Sequence, residues 1–318
     1  MKTLRKELMP ISIMLALSIG LVSVVPISRC DYFIIGFLTS ACLWIVYAVS
    51  WDLLGGYTGM LNFGQMLFVG VAGYTVALIE LHFNIPRLFM ILAGVAGGTL
   101  SSLLISLPAF RVRASYFAVV SLVLPLVFHR VTMTFIKLFG GDYGLNIDRV
   151  FRREHLYYAA IGIMAVTVIA IRLVVKRKIG MALQCIRENE ETARAVGINV
   201  GRYKVIACMI SAFFTSLAGV CSFYYMGHVG PDLFGLEGSF DVVIMCVVGG
   251  TGSVFGAALG GGILSLVLEL MRPVAEYRNV LYAALLVVMM MVAPRGVWGL
   301  MKSLFRRRFR NYVQQGAG

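Results

Sequence analysis

Side chains that could carry out acid–base, nucleophilic or metal chemistry are sparse in this sequence, and they do not cluster. The four histidines form neither an H-x-x-x-H nor an H-E-x-x-H pattern, so the sequence predicts no metal site. We find no nucleophile paired with a base and no grouped carboxylates. The six cysteines form no C-x-x-C pair, and neither a zinc pattern nor a disulfide framework follows from them. We therefore do not expect an enzyme.

Polar residues are instead embedded in an apolar, glycine-rich segment, residues 55–74, which reads GGYTGMLNFGQMLFVGVAGY. Polar groups at membrane depth must find partners or line a water-filled path. Broken helices that expose backbone groups bind solutes in transporters. We therefore predict a translocation path lined, in this segment, by Gly59, Asn62, Gly64 and Gln65.

A second glycine-rich segment, residues 247–263, reads VVGGTGSVFGAALGGGI and supplies Gly250 and Gly252 to the same predicted path. Gly252, Gly256 and Gly260 are four apart and are predicted to share one helix face, a spacing that lets two backbones approach closely. Helix packing alone is the alternative interpretation. The segment lacks the Lys and Ser/Thr of G-x-x-x-x-G-K-[ST] and, because of Phe255, also fails G-x-G-x-x-G. It is not expected to bind nucleotide phosphates.

Asp52 lies near the end of a long apolar run, and a carboxylate at the centre of a membrane helix costs about 2.5–3.5 kcal/mol. One interpretation is a proton or cation site. The other is an acid near the headgroups that is hydrogen-bonded to the glycine-broken segment that follows it. We favour the second interpretation because no other buried acid lies nearby in sequence to form a relay.

The elements that position these residues must be membrane helices. The chain has 318 residues, of which 59% are hydrophobic and only 14% charged, with a mean hydropathy of +0.87. Soluble domains carry about 25% charged residues. The sequence therefore predicts an all-α polytopic protein surrounded by the lipid bilayer. The net charge of +13 is typical of Lys and Arg kept on the cytoplasmic side, and we do not expect nucleic-acid binding.

Apolar runs of about 20 residues predict about 8–10 transmembrane helices within a single domain, residues 1–318. The eighth is too short to span alone and is expected to be tilted, broken or half of a re-entrant pair with its neighbour. The first resembles a signal peptide, but its apolar run is too long and no A-x-A site follows. The predicted helices are 9–28, 31–53, 58–81, 86–107, 114–138, 156–175, 203–226, 239–250, 254–271 and 279–296.

Lys and Arg concentrate at the N-terminus, at 111–113, at 172–204 and at the C-terminus. Even numbers of predicted helices separate these four places, so all of them, including both termini, are expected in the cytoplasm. The loop 140–155 disagrees with this rule. The count of helices places this loop outside the cell membrane, although it contains Arg149, Arg152 and Arg153.

The segment 181–204, MALQCIRENEETARAVGINVGRYK, is polar within an otherwise apolar chain. Its apolar positions predict one short amphipathic helix that Gly197 ends. A helix lying on the membrane surface is one interpretation, but anionic lipid would repel the three glutamates on its charged face. A protein partner fits better. The predicted stripe consists of Ala182, Ile186, Ala193 and Val196.

Within this segment, Glu191-Thr-Ala193-x-x-x-Gly197 matches the E-A-A-x-x-x-G loop of membrane subunits of ATP-binding cassette (ABC) importers, with Thr192 replacing the first Ala. The fuller stretch RKIGMALQCIRENEETARAVGINVGRYK resembles LivM-type permeases of branched-chain amino acid importers. So do the first glycine-rich segment and LPAFRVRASYFAVVSL, VVGGTGSVFGAALGG and APRGVWGL, in the order of that family. The resemblance covers most of residues 30–300.

The resemblance implies a multi-pass permease of the cell inner membrane that translocates branched-chain amino acids. It implies that a cytoplasmic loop at about 176–203 docks on an ATPase. The implied partners are a second, homologous permease of LivH type, two ABC ATPases and a periplasmic or extracellular solute-binding protein. The ATPases would bind the ATP, so no cofactor is expected in this chain. The implied coupling residues are Arg187, Glu188, Glu191, Ala193 and Gly197.

Three departures from the family pattern leave the solute open between branched-chain amino acids, other amino acids, urea and short amides. Asp52 replaces the usual Asn, NFGQ at 62–65 replaces SLGQ or SLG-H, and the outer loop lacks the proline of GGPxGL. Two alternatives come from other classes. One is a stand-alone proton- or ion-coupled secondary transporter with Asp52 as its coupling site, and the other is a membrane scaffold whose helix at 181–204 recruits a soluble protein.

Overall fold

A computed structural model describes residues 32–83, 85–109, 114–147, 151–271 and 296–299. The predicted helix at 9–28 lies outside the described residues, as does 279–295 of the last predicted helix. The basic residues of both termini and of 111–113 also lie outside them. Of the segment APRGVWGL, residues 293–300, the structure describes only 296–299.

Helices make up nearly all of the described structure, which confirms the all-α polytopic prediction. Six of them are long and apolar enough to cross a membrane, and a bent pair raises the number in the described part to seven. The helices are α1 Tyr32–Thr58, α2 Gln65–His82, α3 Arg87–Ala109, α4 Ala114–Thr134, α5 Ile136–Phe139, α6 Arg153–Lys176, α7 Lys178–Glu188, α8 Glu190–Ala195, α9 Val200–Met226, α10 Leu236–Gly249 and α11 Val254–Leu270.

Helix α1 forms the centre of the bundle, and it packs against α6, α9, α10 and α11. Helix α9 packs in turn on α2 and α3. Helices α3 and α4 lie further out and expose large apolar side chains such as Leu88, Phe89 and Val119. In lipid such side chains face an apolar solvent, so their exposure is consistent with membrane insertion.

The chain between α1 and α2 is not helical, and the prediction of a helix over 58–81 was wrong at its start. Gly59 has φ +73 and ends α1, because a left-handed conformation cannot continue the helix. The side chain of Asn62 then accepts a hydrogen bond from the backbone N–H of Gly64 at 2.9 Å. Asparagine side chains favour such local turns over helix. We call residues 59–64 the first break.

Helices α10 and α11 are bent by 119° about residues 250–253, which we call the second break. The predicted interruption between these two segments, as a broken or a re-entrant pair, is therefore confirmed. Gly250 with φ +115 and Gly252 with φ +75 make the turn. The prediction that Gly252 shares a helix face with Gly256 and Gly260 was wrong, because Gly252 lies in the turn before α11.

One end of the bundle carries a small cap of irregular structure. A two-stranded antiparallel sheet pairs β1 (Leu145–Asn146) with β2 (His228–Val229). The His228 Nδ1 and Asn146 Oδ1 atoms lie 2.8 Å apart across the pair. A 3-10 helix, Pro231–Phe234, leads from β2 into α10. The other end of the bundle carries α7 and α8.

We predict that Gly260→Ala destabilises the protein, because α10 and α11 touch through their backbones. A Cβ atom at Gly260 would lie 2.8 Å from the Cα atom of Gly249. Overpacking of this kind costs about 1–3 kcal/mol. We expect the thermal unfolding midpoint in detergent to fall by several degrees.

The matched control is Gly162→Ala in the interior of α6, where an added Cβ atom would meet nothing within 4 Å. Alanine there gains about 1 kcal/mol of helix propensity, so we expect an unchanged or higher midpoint. Equal midpoints for the two variants would contradict the close backbone contact.

Candidate functional site

The polar segment folds as two short helices, α7 and α8, and not as the single helix that the sequence predicted. Asn189 between them is extended, with φ −162° and ψ 117°. Its Oδ1 atom accepts hydrogen bonds from the backbone N–H groups of Glu191 and Thr192, both at 2.9 Å, and so caps α8. We call residues 176–203 the coupling segment.

The break at Asn189 changes which apolar residues share a face. Ala182, Ile186 and Ala193 are buried, as predicted. Val196, the fourth member of the predicted stripe, is 71% exposed, so that part of the prediction was wrong. The phase of a 3.6-residue helix is lost at an extended residue, so the spacing across Asn189 no longer defines one face.

The coupling segment has a small core of its own. Ile186, Ala193 and Val200 are buried together, and Ile198 and Tyr203 pack against them. This core joins α7, α8 and the first turn of α9. The segment is therefore a folded unit on the end of the bundle.

Gly197 ends α8 with a left-handed backbone, φ +85. Its N–H donates to the carbonyl of Arg194 at 3.0 Å, and the N–H of Ile198 donates to that of Ala193 at 3.0 Å. This pattern is a Schellman motif with glycine at C′. Gly197 thus has a local structural role in ending α8. The space beside its Cα atom is empty, since an added Cβ atom would meet nothing within 4 Å.

An ion pair fixes α8 to α9. The Nζ atom of Lys204 lies 2.5 Å from Glu190 Oε1, and the Lys204 side chain is only 2% exposed. A buried charge needs its partner, because an unpaired one would carry a large desolvation cost. Arg194 adds a second, exposed contact to Glu190 at 3.8 Å.

The coupling segment contacts the first glycine-rich segment through Arg187. The guanidinium group of Arg187 donates a hydrogen bond to the backbone carbonyl of Gly56, in the last turn of α1. It also lies against the second break, where a Cβ atom on Gly252 would come within 2.7 Å of it. Gly59 is close to the same side chain. Arg187 is thus next to both breaks.

Asp52 completes this junction from inside the bundle. It is fully buried, and its Oδ1 atom accepts a hydrogen bond from the backbone N–H of Gly252 at 2.7 Å. The sequence predicted a hydrogen-bonded acid with a partner in the first glycine-rich segment. The partner lies in the second one instead, 200 residues away along the chain. We call Asp52, Gly56, Arg187 and Gly252 the junction.

The first break is held by a buried polar network. Asn62 Nδ2 donates to Gln65 Oε1 at 3.0 Å, and the Gln65 amide donates to the hydroxyl of Thr215 on α9 at 2.5 Å. The indole N–H of Trp51 donates to the carbonyl of Asn62 at 2.6 Å. The side chains of Asn62 and Gln65 are fully buried in this chain.

Residues of the predicted path thus fall into two groups. Asn62, Gly64 and Gln65 are buried around the first break, while Gly59 is exposed at its start. Gly250 and Gly252 form the second break. Their role in translocation stays a prediction.

Three residues of this network, Trp51, Ser211 and Thr215, were not predicted from the sequence. The Gln65 amide lies 3.4 Å from Ser211 Oγ. Ser211 and Thr215 are four residues apart on α9 within an apolar run, and this repeated small polar side chain is the signal that could have found them.

An open groove of about 840 Å³ runs along the outer side of the coupling segment. Its lining includes Met181, Val196 and Tyr57 together with Glu188 and Thr192. Met181 and Val196 are 57% and 71% exposed. Exposed apolar side chains beside charged ones are typical of a protein-docking surface.

The residues 33–294 match the family described as "Branched-chain amino acid transport system / permease component". The chain is 25% identical over 292 residues to the high-affinity branched-chain amino acid transport system permease protein LivM of Escherichia coli K12, covering 81% of this chain and 68% of that protein. It is 21% identical over 283 residues to the probable permease LivM of Methanocaldococcus jannaschii, covering 76% and 81%.

A shorter part of the chain is similar to a different permease, LivH of Escherichia coli K12. The two are 31% identical over 124 residues, which are 38% of this chain and 40% of LivH. No solved structure matches the chain. The family match covers most of the sequence and agrees with several apolar helices of membrane-spanning length. The resemblance found in the sequence is therefore confirmed, and the chain belongs to the family of multi-pass membrane permease components of branched-chain amino acid transport systems.

Proposed function

We propose that the chain is the permease subunit of an ATP-driven importer and forms a path for branched-chain amino acids through the cell inner membrane. The observation that carries this proposal is the junction, in which a folded surface segment touches both helix breaks through Arg187.

The partner on the groove is an ATPase subunit. This chain has no phosphate-binding loop of its own in the two glycine-rich segments, and the exposed apolar residues Met181 and Val196 offer an interface. The exposed acids Glu188 and Glu191 favour a basic protein surface over anionic lipid. Two such ATPases bind the ATP, and this chain needs no cofactor.

The similarity to both LivM and LivH supports a second permease as a partner. A second, homologous permease completes the path, and a periplasmic or extracellular binding protein delivers the solute. The coupling segment and both termini lie in the cytoplasm, as the Lys and Arg bias favours. The cap formed by β1, β2 and the 3-10 helix then faces the binding protein.

The junction transmits the motion of the ATPase. Movement of α7 displaces the Arg187 guanidinium, which is bonded to α1 at Gly56. Asp52, one turn earlier on α1, holds the turn between α10 and α11 at Gly252. Both breaks are therefore linked to α7 through α1, which bonds Arg187 at Gly56 and Gly252 at Asp52.

Uptake by proteoliposomes tests the proposal. We expect leucine uptake to require this chain, its partner permease, both ATPases, the binding protein and ATP, and we expect the purified chain alone not to hydrolyse ATP. The family does not favour the alternative with Asp52 as a coupling site. Uptake that survives ATP depletion and collapses with an uncoupler would restore that alternative.

We predict that Glu191→Lys abolishes uptake without affecting membrane insertion. Glu191 is exposed, and its side chain makes no salt bridge or hydrogen bond among the described residues, so reversal of its charge changes the docking surface and leaves the fold intact. The measurement is co-purification of the ATPases together with uptake. Glu191→Gln keeps the size of the side chain and should lose less, and normal uptake by Glu191→Lys would contradict the docking role.

We predict that Gly197→Arg also abolishes uptake. The left-handed backbone at Gly197 determines which substitutions can serve as controls. Gly197→Asn retains most uptake because asparagine tolerates the left-handed conformation better than other residues. Gly197→Ala separates strain from bulk, since its side chain is small and would meet no neighbour. Equal uptake by Gly197→Arg and the wild type would show that the ATPase does not contact the surface beside Gly197.

We predict that Arg187→Ala uncouples hydrolysis from transport, because it removes the link between α7 and Gly56 while the exposed apolar interface remains. The number of ATP molecules hydrolysed per leucine imported should rise on the order of tenfold, the effect of losing a hydrogen bond from a charged group. The control is Arg194→Ala on the same segment, whose side chain is 61% exposed and reaches only Glu190 among the described salt bridges. If Arg187→Ala lost hydrolysis and uptake in parallel, the role of Arg187 would be to bind the ATPase and not to transmit its motion.

A further inference from the structure

The first break crosses one half of the bundle without helical structure. Its first residue, Gly59, lies against Arg187 of the coupling segment, where an added Cβ atom would be 3.4 Å from the arginine Cγ atom. Just after its end, Gln65 bonds Thr215, which is 15 residues or about 23 Å from the start of the membrane-length helix α9. An extended chain covers about 20 Å in six residues. The break therefore runs from the end of the bundle to about the middle of the membrane.

Burial along the break alternates, as it does in a strand that is covered on one side. Met60 and Asn62 are 1% and 0% exposed, whereas Gly59 is exposed and Leu61 is 47% exposed. Phe63 is partly exposed. Successive side chains of an extended chain point to opposite sides, so every second residue faces away from the bundle. We call Gly59, Leu61 and Phe63 the outer edge.

The inner side of the break has its polar groups bonded within the bundle. Every side-chain nitrogen and oxygen of Asn62 and Gln65 has a partner in this chain. The backbone N–H of Phe63 also turns inwards and donates to Ser121 Oγ on α4 at 3.0 Å. Since Asn62 and Gln65 are fully buried and fully bonded, they are not free to line a path.

The outer edge, in contrast, has backbone groups that nothing in the described part of the chain satisfies. Neither the N–H nor the carbonyl of Leu61 has a hydrogen-bond partner there, and the carbonyls of Gly59 and Met60 have none either. Lipid cannot bond such groups. Non-helical backbone at membrane depth is tolerated only where protein buries it or where it lines a water-filled cavity.

Water is the neighbour that fits the outer edge better than a second protein. Water bonds N–H and C=O groups at any position, whereas a protein would have to present matching groups in register with the break. The edge also has an open end. Gly59 lies beside Arg187, which lines the open groove of the coupling segment.

We propose that the outer edge of the first break is one wall of the water-filled translocation path, in the half of the membrane nearer the coupling segment. The path then runs along the outer surface of this chain, and not through the polar network of Asn62 and Gln65. The solute passes the open backbone groups and the side chain of Leu61, and the second permease supplies the opposite wall. This inference rests on the proposed import function and gives the path a position.

Cysteine labelling of the complete transporter in nanodiscs tests the wall. The background is Cys185→Ser, because Cys185 is the exposed one of the described free cysteines. We expect Leu61→Cys to react with the membrane-impermeant thiol reagent MTSET at least on the order of tenfold faster than Leu104→Cys, since only a thiol in water ionises to the reactive thiolate. Phe63→Cys is a second probe of the same edge and should also react faster than Leu104→Cys.

Leu104 on α3 is the matched control. It is 48% exposed, and its neighbour Ile105 lies beside Gly64, where an added Cβ atom would be 2.9 Å from Ile105 Cδ1, so it has the depth of the break. Its backbone belongs to an unbroken helix that lipid can cover. Met60→Cys tests the alternation, because Met60 is 1% exposed and should react as slowly as Leu104→Cys.

Three results of the labelling would overturn the proposal. Equal rates for Leu61→Cys and Leu104→Cys would place the outer edge in lipid. Labelling of Leu61→Cys in the isolated chain that disappears in the complete transporter would mean that the second permease covers the edge. Labelling of Met60→Cys as fast as that of Leu61→Cys would mean that the break has no fixed outer side.

Leucine uptake by the same variants in proteoliposomes distinguishes the wall from the import function. We expect MTSET to abolish uptake by Leu61→Cys and to leave uptake by Leu104→Cys unchanged, and unchanged uptake by fully labelled Leu61→Cys would contradict the wall. If the wild type imports leucine but Leu61→Cys is not labelled, the wall fails and the import function stands. If the wild type imports no branched-chain amino acid but Leu61→Cys is labelled as expected, the import function fails and the water-lined edge remains.

Discussion

The constraint on which this structure depends is the satisfaction of backbone groups inside the membrane. Unbroken helices satisfy their own N–H and C=O groups, but the breaks at 59–64 and 250–253 do not. Specific polar side chains replace the missing bonds. The side chains of Asn62 and Trp51 form hydrogen bonds with backbone groups of the first break, and that of Asp52 does so with a backbone N–H of the second. A buried acid in an apolar helix is thus explained by what it binds, a backbone N–H at a turn made by glycine.

These replacements also explain why two distant parts of the sequence form one site. Asp52 bonds Gly252, 200 residues away along the chain, and Gln65 bonds Thr215, 150 residues away. The same breaks leave backbone carbonyls open at the end of the bundle, and Arg187 takes that of Gly56. The local cost of interrupting a helix is therefore offset by bonds that fix α1 against α7 and the turn before α11, and α2 against α9.

The long helices could be predicted from the sequence because each is an apolar run of membrane length, and their described bounds fall within a few residues of the predicted ones except at 58–64. The bent pair could be predicted because its first half is too short to span. The split of the coupling segment at Asn189 could not be predicted, since one asparagine within a helical pattern is compatible with one continuous helix and with two short ones. Ser211 and Thr215 were missed because their importance comes from a contact about 150 residues away, with Gln65.

The coupling segment reaches the first break by two physical routes. Its own core, formed by Ile186, Ala193 and Val200, joins α7 and α8 to the start of α9. The first route passes from Arg187 to Gly56 at the end of α1. The second passes from Glu190 to the buried Lys204 on α9 and along that helix to the residues that bind Gln65. The first route ends before residues 59–64, at Gly56, and the second ends after them, at Gln65.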